Sequence, residues 1–90
     1  MLRVTQLRHI NASAPVQWQG QDADGRPVYA RYSNGRLSVS VGVRSDSIFS
    51  AVYGEVVFAE QVGAEQSNEF DLEQMKAATA GFVEWPERES

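Results

Sequence analysis

The sequence predicts a single α+β domain in which a small antiparallel sheet is packed by one or two helices. Three observations predict it: apolar and polar residues alternate through residues 16–43, an asparagine-glycine corner divides that stretch, and a capped amphipathic segment follows near the carboxyl end. Alternation with a period of two is typical of strands that bury one face, and a period near 3.6 is typical of helices. Ninety residues are enough for one hydrophobic core, so residues 1–90 are predicted to form one domain.

The clearest local signal is the dipeptide Asn34-Gly35, which separates alternating runs at residues 26–33 and 36–43. Both central residues of a two-residue type I′ hairpin turn need a positive φ, and asparagine and glycine tolerate it best. The turn therefore fixes a register in which the apolar residues of the two strands share one side of the sheet. The predicted partners are Ser33 with Arg36, Tyr32 with Leu37, Ala30 with Val39 and Val28 with Val41.

A first strand at residues 16–21 joins this hairpin through the sequence Asp22-Ala-Asp-Gly25. A two- or four-residue loop would turn Trp18 toward the polar face, whereas a three-residue loop with a left-handed Gly25 pairs Trp18 with Ala30. We therefore predict the three-residue loop. The predicted buried face consists of Val16, Trp18, Val28, Ala30, Tyr32, Leu37, Val39, Val41 and Val43, and the opposite face of Gln17, Gln19, Gln21, Tyr29, Arg31, Ser33, Ser38 and Ser40.

Shorter elements are predicted on both sides of this three-stranded meander. Residues 2–10 alternate weakly and fit an edge strand or an ordered arm, with a short strand near residues 2–6. After the meander, Asp46 is a candidate N-cap for a helix over residues 46–53. Residues 55–60 fit either a continuation of that helix or a short strand, and their consecutive β-branched and aromatic residues favour a strand. The apolar stripe of the predicted helix consists of Ile48, Phe49, Val52 and Tyr53.

The best-marked helix is predicted over residues 72–80. Asp71 is a natural N-cap, and Gln74, three residues later, can complete a capping box by bonding back to the cap backbone. Residues 82–85 are predicted to form a final short strand or ordered segment, which Pro86 ends. The remaining residues, 87–90, are predicted to form a frayed tail.

The composition excludes several kinds of chemistry. The absence of cysteine excludes disulfides, thiolate metal sites and cysteine nucleophiles. The sequence has no glycine-rich phosphate loop and no G-x-S-x-G nucleophile turn. Asp22 and Asp24 resemble the start of a calcium loop, but the glycine comes two positions early and no glutamate follows at the twelfth position. With His9 the only histidine, we predict a protein that is not an enzyme and that uses no cofactor and no metal.

The net charge of −4 is unevenly distributed along the chain. Residues 1–45 carry six arginines and two aspartates, a formal charge of +4, whereas residues 46–90 carry ten acidic and two basic side chains, a formal charge of −8. Such asymmetry indicates either an acidic binding surface or two halves that complement each other within the monomer. The start of the sequence lacks the apolar run of a signal peptide, and no stretch approaches the roughly 20 apolar residues of a membrane span, so we expect a cytoplasmic protein.

These patterns predict a non-enzymatic, acidic protein-binding module. A second contact area is predicted on the polar sheet face at Tyr29 and Arg31. Tyr29, Arg31, Arg36 and Arg44 fit a basic, aromatic sheet face of the kind that stacks on single-stranded nucleic acid. Direct binding to nucleic acid is nevertheless disfavoured because an isoelectric point near 4.8 implies a field that repels phosphate. The alternatives are a homodimer formed through a strand edge or the polar sheet face, and a small RNA- or ligand-binding sheet module. The acidic contact residues are predicted to be Glu55, Glu60, Glu65, Glu69, Asp71 and Glu73.

Several short motifs resemble small uncharacterised proteins that are encoded in bacterial and prophage genomes. The resemblance covers most of the chain and assigns no active site. It implies a mobile-element setting, in which compact acidic proteins often act as inhibitors of the anti-CRISPR or immunity type that cover a nucleic-acid-binding surface on their partner. The motifs are Trp18-x-Gly20, Asp24-Gly-Arg-Pro-x-Tyr-Ala-Arg-Tyr32, Gly35-x-Leu-Ser-Val39, Thr79-Ala-Gly81 and Glu84-Trp-Pro86.

Overall fold

A computed structural model describes residues 1–11, 15–43 and 49–89. Within these ranges the chain forms six strands and two short helices. The sheet dominates, so the predicted α+β class holds in its broad sense. The elements are β1 Leu2–Asn11, β2 Val16–Asp22, β3 Pro27–Ser33, β4 Arg36–Val41, α1 Phe49–Val52, β5 Glu55–Gln61, α2 Leu72–Ala78 and β6 Val83–Glu84.

The six strands form one curled sheet in the order β5-β4-β3-β2-β1-β6. All neighbouring strands are antiparallel except β1 and β6, which are parallel. Phe82, directly before β6, contacts Phe58 of β5 with ring centroids 5.6 Å apart, although these two strands lie at opposite edges of the sheet. The sheet therefore bends until its edges approach each other, and it encloses one hydrophobic interior.

The predicted meander is confirmed, including its register and both turns. Trp18 pairs with Ala30, and the four predicted pairs between β3 and β4 are all present. At the corner, φ is 52° for Asn34 and 78° for Gly35, the two positive values that a type I′ turn requires. In the other loop Gly25 has a φ of 79°, and the backbone N–H of Asp22 donates to the carbonyl oxygen of Arg26 at 3.0 Å, which leaves three residues in the loop.

The enclosed interior is built around two aromatic residues of the meander. Trp18 and Tyr32 are fully buried, and Phe70 packs against both. The rings of Tyr32 and Phe70 stack with centroids 4.0 Å apart and planes 7° from parallel. The hydroxyl of Tyr32 donates to the Oγ of Ser67 at 2.8 Å, so its polar end has a partner. In the described part of the chain, no buried side-chain nitrogen or oxygen lacks a hydrogen bond.

The first strand is longer and more central than predicted. Residues 2–6 were expected to form an edge strand, but β1 has ten residues and pairs with β2 along its length and with β6 at Leu2 and Arg3. Two bulges interrupt the pairing with β2. The prediction was wrong here because such bulges shift the alternation of side chains between the two faces of the sheet. The apolar pattern of one long strand then resembles that of two short strands.

The end of the meander and the first helix also differ from the prediction. Val43 was assigned to the core but is 67% exposed, because β4 ends at Val41. Ser40 was assigned to the polar face and is buried, since its hydroxyl donates to the carbonyl oxygen of Ala51 in α1 at 2.5 Å. Helix α1 therefore covers the polar face at this end of the sheet, rather than packing on the core.

Two residues of the predicted stripe, Val52 and Tyr53, do not form the buried side of this helix. Ala51 is fully buried, whereas Val52 is 38% exposed and Tyr53 is 86% exposed. The four-residue helix is too short to present a stripe, so the small residue that faces the sheet is the one that becomes buried. The predicted N-cap Asp46 and the stripe residue Ile48 lie outside the described residues.

The later elements follow the prediction more closely. Residues 55–60 belong to a strand, β5, and β6 lies within the predicted 82–85. Helix α2 begins after Asp71, whose carboxylate accepts the backbone N–H of Gln74 at 2.8 Å, while the Gln74 side chain accepts the backbone N–H of Asp71 at 2.9 Å. The predicted capping box is thus confirmed. The helix ends two residues before the predicted boundary at residue 80.

The tail is packed where fraying was expected. One carboxylate oxygen of Glu89 accepts the indole N–H of Trp18 at 2.6 Å and lies 2.8 Å from Nδ1 of His9. The His9 ring stacks on Trp18 with centroids 4.6 Å apart. Lys76 also donates to the carbonyl oxygen of Glu87 at 3.0 Å. The tail therefore supplies the polar partner that a buried tryptophan needs.

Candidate functional site

The outer face of the sheet, which we define as the side turned away from the enclosed interior, is the largest uniform polar surface of the described chain. Strands β2 to β5 place no carboxylate on this face, although the whole chain has a net charge of −4. The face carries arginines at Arg8, Arg31 and Arg36. The outer face is therefore locally basic in an acidic protein. Its side chains from β2 to β4 are Gln17, Gln19, Gln21, Tyr29, Arg31, Ser33, Arg36, Ser38 and the covered Ser40.

The hairpin register determines how two of these arginines are arranged. Arg31 lies opposite Ser38, and Ser33 lies opposite Arg36. Because these are successive pairs on the same face, Arg31 and Arg36 are diagonal neighbours, with Cα atoms roughly 7–8 Å apart in such a geometry. The two serines occupy the other diagonal. The type I′ turn thus places two guanidinium groups and two hydroxyl groups in one compact square.

An open groove of about 600 Å³ lies over this square. Strand β5 adds Gln61 to its wall through the pair Arg36–Gln61, and Glu65 contributes the carboxylate that lines it. We call this feature the arginine groove. Its lining residues are Arg31, Ser33, Asn34, Arg36, Ser38, Gln61 and Glu65.

Hydrogen bonds attach the segment after β5 to the hairpin turn and so fix the wall of the groove. The carbonyl oxygen of Gly35 accepts the backbone N–H groups of Val62 and Gly63 at 2.8 and 3.0 Å, and the N–H of Gly35 donates to Ser67 at 2.9 Å. The side-chain amide of Gln61 donates to the carbonyl oxygen of Asn34 at 2.8 Å. The groove is therefore formed before any ligand arrives, which lowers the entropic cost of binding.

Neither Arg31 nor Arg36 has an ion pair or side-chain hydrogen bond within the described ranges 1–11, 15–43 and 49–89, and both are exposed. Other arginines differ: Nε of Arg26 donates to the buried carboxylate of Asp22 at 2.7 Å, and Arg3 lies 4.0 Å from Glu84. The two groove arginines thus contribute nothing visible to the folded structure. They remain available to an external anion.

Tyr29 lies beside the arginine groove, as its place on the polar face predicted. Its hydroxyl accepts a hydrogen bond from the side-chain amide of Gln17 at 2.7 Å, and the residue is half-buried. Tyr29 pairs with Ser40, so α1 begins to cover the sheet directly next to it. The tyrosine therefore stands between the open and the covered parts of the outer face.

The structure does not bring the predicted acidic residues together. Glu65 lines the arginine groove, but the register of β5 directs Glu55 and Glu60 to the side of the strand that carries Phe58. Glu69 is exposed in the connection to α2. The carboxylate of Asp71 caps helix α2 by accepting the backbone N–H of Gln74, and a carboxylate oxygen of Glu73 lies 3.3 Å from Nζ of Lys76. Of the predicted contact residues, only Arg31 and Glu65 meet in one site.

Sequence reasoning grouped Arg36 with Tyr29 and Arg31 only as a nucleic-acid-binding sheet face, which it disfavoured, and it did not name Ser33, Ser38 and Gln61 as members of a site. The sequence does contain a signal for Arg36, Ser33 and Ser38. The segment Arg31-Tyr-Ser-Asn-Gly-Arg-Leu-Ser38 repeats the pattern arginine-x-serine on both sides of the turn. Combined with the two-residue turn, that repeat places all four side chains on one face. Gln61 carried no comparable signal, because its position depends on the pairing of β5.

A second depression of about 450 Å³ lies at the other end of the outer face. It includes Val43 and Tyr53, which are 67% and 86% exposed. Val56 of β5, on the same face as Ser40, is 60% exposed. This end of the face thus exposes three apolar or aromatic side chains, next to the charged Arg26 and Glu55 that also line the depression.

Two classes of site are not found in the described residues. No group of three or more histidine, aspartate or glutamate side chains in residues 1–11, 15–43 and 49–89 could hold a metal ion. Neither described helix is long and apolar enough to cross a membrane.

Comparison with protein-family models, curated proteins and solved structures finds no match for this chain. The resemblance to prophage-encoded proteins therefore stays a prediction.

Proposed function

We propose that this chain is a non-enzymatic protein-binding module that contacts its partner through the outer face of the sheet. The observation that carries the proposal is the arginine groove, in which Arg31 and Arg36 have no partner in the described chain. Two exposed guanidinium groups on one face, unpaired within the described chain, can donate to an anionic group of a partner.

The residue types on this face suit protein recognition. Tyrosine and arginine are enriched among the residues that dominate interface energies, because they offer large contact area and several hydrogen bonds. Tyr29 and Arg31 were predicted as contacts, and Arg36 adds a second guanidinium beside them. The neighbouring glutamines and serines can donate or accept hydrogen bonds, and thus adapt to a partner's main chain.

The acidic residues have a secondary part in this proposal. Glu65 lines the arginine groove, so its carboxylate restricts which anionic partners can enter. The other predicted acidic contacts lie outside the groove: Glu55, Glu60 and Glu69 are proposed as solvated surface, Asp71 caps α2, and Glu73 pairs with Lys76. An inhibitory role of the anti-CRISPR or immunity type is compatible with a preformed groove. The proposal includes this role only because the resemblance to prophage-encoded proteins predicts it.

Affinity capture with charge-reversed variants tests the proposal. The unmodified protein, the double variant R31E/R36E and the triple variant E65K/E69K/E73K are used as baits in lysate from the source cells, and captured proteins are quantified by mass spectrometry. We expect R31E/R36E to lose a specific partner by at least about ten-fold, because two charge-assisted contacts are removed.

The triple variant shows whether the acidic surface is the contact instead. Loss of the partner in E65K/E69K/E73K with full retention in R31E/R36E would contradict the proposed outer-face contact and favour the acidic surface. R88Q is the control, because Arg88 is exposed in the tail and lies outside the groove. Circular dichroism melting verifies that every bait is folded.

A homodimer is the second candidate, and the exposed apolar side chains at one end of the outer face favour it. Val43, Tyr53 and Val56 are all more than half exposed there, and β5 is an edge strand of the sheet. Exposed apolar residues at a strand edge are typical of self-associating surfaces. Light scattering over a concentration series, with Y53S as the variant, distinguishes the two candidates. A dimer that Y53S dissociates would support self-association.

A further inference from the structure

We infer that the arginine groove is a binding site for a phosphate monoester dianion, the group carried by a phosphorylated side chain. The inference rests on the proposed outer-face contact and specifies the chemistry that the partner presents there. It follows from the number of charges in the groove, the geometry of their donors and the size of the space.

The two arginines of the groove suit a dianion. Arg31 and Arg36 supply two positive charges, and neither is neutralised by a carboxylate within 4.0 Å in the described chain. A phosphate monoester carries a charge of about −1.5 to −2 at neutral pH, whereas an aspartate or glutamate side chain carries −1. Glu65 also lines the groove, so the formal charge of the lining is +1. A monoester dianion carries enough charge to pair with both guanidinium groups at once, and a single carboxylate carries enough for one.

The donor geometry also favours phosphate over carboxylate. A carboxylate has two oxygens in one plane, and one arginine in the bidentate arrangement occupies one lone-pair site on each of them, whereas a phosphate monoester has three terminal oxygens. The two arginines here are diagonal neighbours on the hairpin, with the hydroxyls of Ser33 and Ser38 on the other diagonal. Three terminal phosphate oxygens arranged around a tetrahedral centre can accept from both guanidinium groups and from a hydroxyl at once.

The groove is large enough to hold a phosphorylated side chain. Its volume is about 600 Å³, and it is open toward the surface. The wall is fixed to the hairpin turn because the backbone N–H groups of Val62 and Gly63 donate to the carbonyl oxygen of Gly35, and the N–H of Gly35 donates to the carbonyl oxygen of Ser67. Glu65 at this wall disfavours additional negative charge beside the bound group, which separates a lone phosphate from a polyanion.

Nuclear magnetic resonance titration of the intact chain tests the inference directly. The side-chain Nε–Hε signals of Arg31 and Arg36 are followed while O-phosphoserine is added at low ionic strength. We expect saturable shifts of both signals, and a loss of affinity of about ten-fold or more in R31Q and in R36Q, as removal of a charged hydrogen-bond donor predicts. R88Q, which changes the net charge equally outside the groove, should bind as the unmodified protein does.

Four probes distinguish possible ligands by their charged group and by the kind of molecule that carries it. Glutamate tests a carboxylate, and binding of glutamate as tight as that of phosphoserine would overturn the inference. A phosphoserine peptide and adenosine monophosphate present the same group on a protein segment and on a free small molecule, and tighter binding of either supports the monoester and identifies its source. An oligothymidylate without a terminal phosphate should bind more weakly than phosphoserine; tighter binding that grows with its length would overturn the inference.

The pH dependence gives an independent readout. The second pKa of a phosphate monoester is about 6, so its charge falls from nearly −2 to −1 between pH 7.5 and 5. Affinity for phosphoserine should fall over that range, whereas a carboxylate ligand keeps its charge. The titratable and charged groups that face the groove are Arg31, Arg36 and Glu65. The variant E65Q removes the carboxylate of Glu65, so that its change in phosphoserine affinity with pH reports on the charge of the phosphate. Constant affinity of E65Q between pH 7.5 and 5 would contradict a dianion site.

Failure of this inference can be told apart from failure of the proposed function. If R31E/R36E loses its protein partner while phosphoserine binds no better than glutamate, the outer face is the contact surface and only the phosphate chemistry is wrong. If phosphoserine binds through both arginines while R31E/R36E retains the partner, the groove is a small-anion site and the proposed protein contact is wrong.

Discussion

The two faces of the same three strands use their side chains in opposite ways. On the inner face, Trp18 and Tyr32 are fully buried, and each polar atom that they carry has a hydrogen-bond partner, Glu89 and Ser67 respectively. On the outer face, Arg31 and Arg36 come from the same hairpin, yet neither has a partner in the described chain. The polar atoms of Trp18 and Tyr32 are therefore paired within the fold, whereas the guanidinium groups of Arg31 and Arg36 are not paired within the described chain.

This difference separates residues that specify the fold from residues that are free to bind. Burial and satisfied hydrogen bonds stabilise the native state, so changes on the inner face should act on folding. Exposed charges without partners contribute little or unfavourably to stability, so changes on the outer face should act on binding. The predictions below test that separation, beginning with the largest expected effect.

Replacement of Trp18 by alanine should destabilise the protein most. The side chain is fully buried, and it contacts Phe70 and His9. Removing a buried aromatic ring costs about 3–5 kcal/mol through lost contacts and the cavity that remains. Because small domains are stable by only about 5–15 kcal/mol, W18A should unfold at much lower urea concentration, as measured by circular dichroism.

Q21A is the matched control on the same strand. Gln21 faces the outer side and is exposed, so its replacement should change the free energy of unfolding by less than about 0.5 kcal/mol. Similar losses in W18A and Q21A would show that the two faces do not differ as the structure indicates.

Replacement of Gly35 by alanine should be the next most damaging change. Its φ of 78° is unfavourable for alanine, and a Cβ there would lie 2.3 Å from the carbonyl oxygen of Ala64 and 2.4 Å from that of Gly63. Strain of this kind costs about 1–3 kcal/mol before the clash with the backbone is included. We expect a loss of at least about 2 kcal/mol in urea unfolding.

G81A isolates the contribution of the clash. Gly81 has a similar φ of 89°, but nothing lies within 4 Å of a Cβ at that position. Its replacement should therefore cost only the backbone strain, about 1 kcal/mol. Equal losses in G35A and G81A would mean that the wall of the arginine groove is not held against the turn.

Residues 16–41 were predictable from sequence because two independent local signals agree there. The alternation of apolar residues and the Asn34-Gly35 turn each imply the same register, and the structure has that register. The capping box at Asp71 was predictable for the same reason, since a cap depends on side chains only three residues apart.

The rest depends on contacts between distant segments. Val43 is exposed because the strand ends early, and Ser40 is buried because α1 folds back over the outer face, neither of which the alternation encodes. The arginine groove combines a hairpin with a wall fixed by Gln61 from another strand. Its two arginines could be placed on one face from sequence, but their lack of partners could be recognised only after the whole sheet was assembled.

Replacement of Asp71 by alanine should have a moderate effect and tests whether this residue is structural. Its carboxylate accepts the backbone N–H of Gln74, so the change removes the helix cap. Loss of an aspartate cap costs about 1 kcal/mol, measurable as a lower melting temperature. D71N should retain most of the stability because asparagine also caps helices well. If D71A instead keeps its stability but loses its partner, the predicted role of Asp71 as a contact residue is favoured.

Replacement of Arg31 and Arg36 by glutamine should have the smallest effect on stability. Neither guanidinium is paired within the described chain, so R31Q and R36Q should each change the free energy of unfolding by less than about 0.5 kcal/mol. Relief of the repulsion between the two charges should make any change slightly stabilising, most of all at low salt. A clear loss of stability in either variant would mean that the arginine belongs to the fold, and the contrast between the two faces of the sheet would no longer hold.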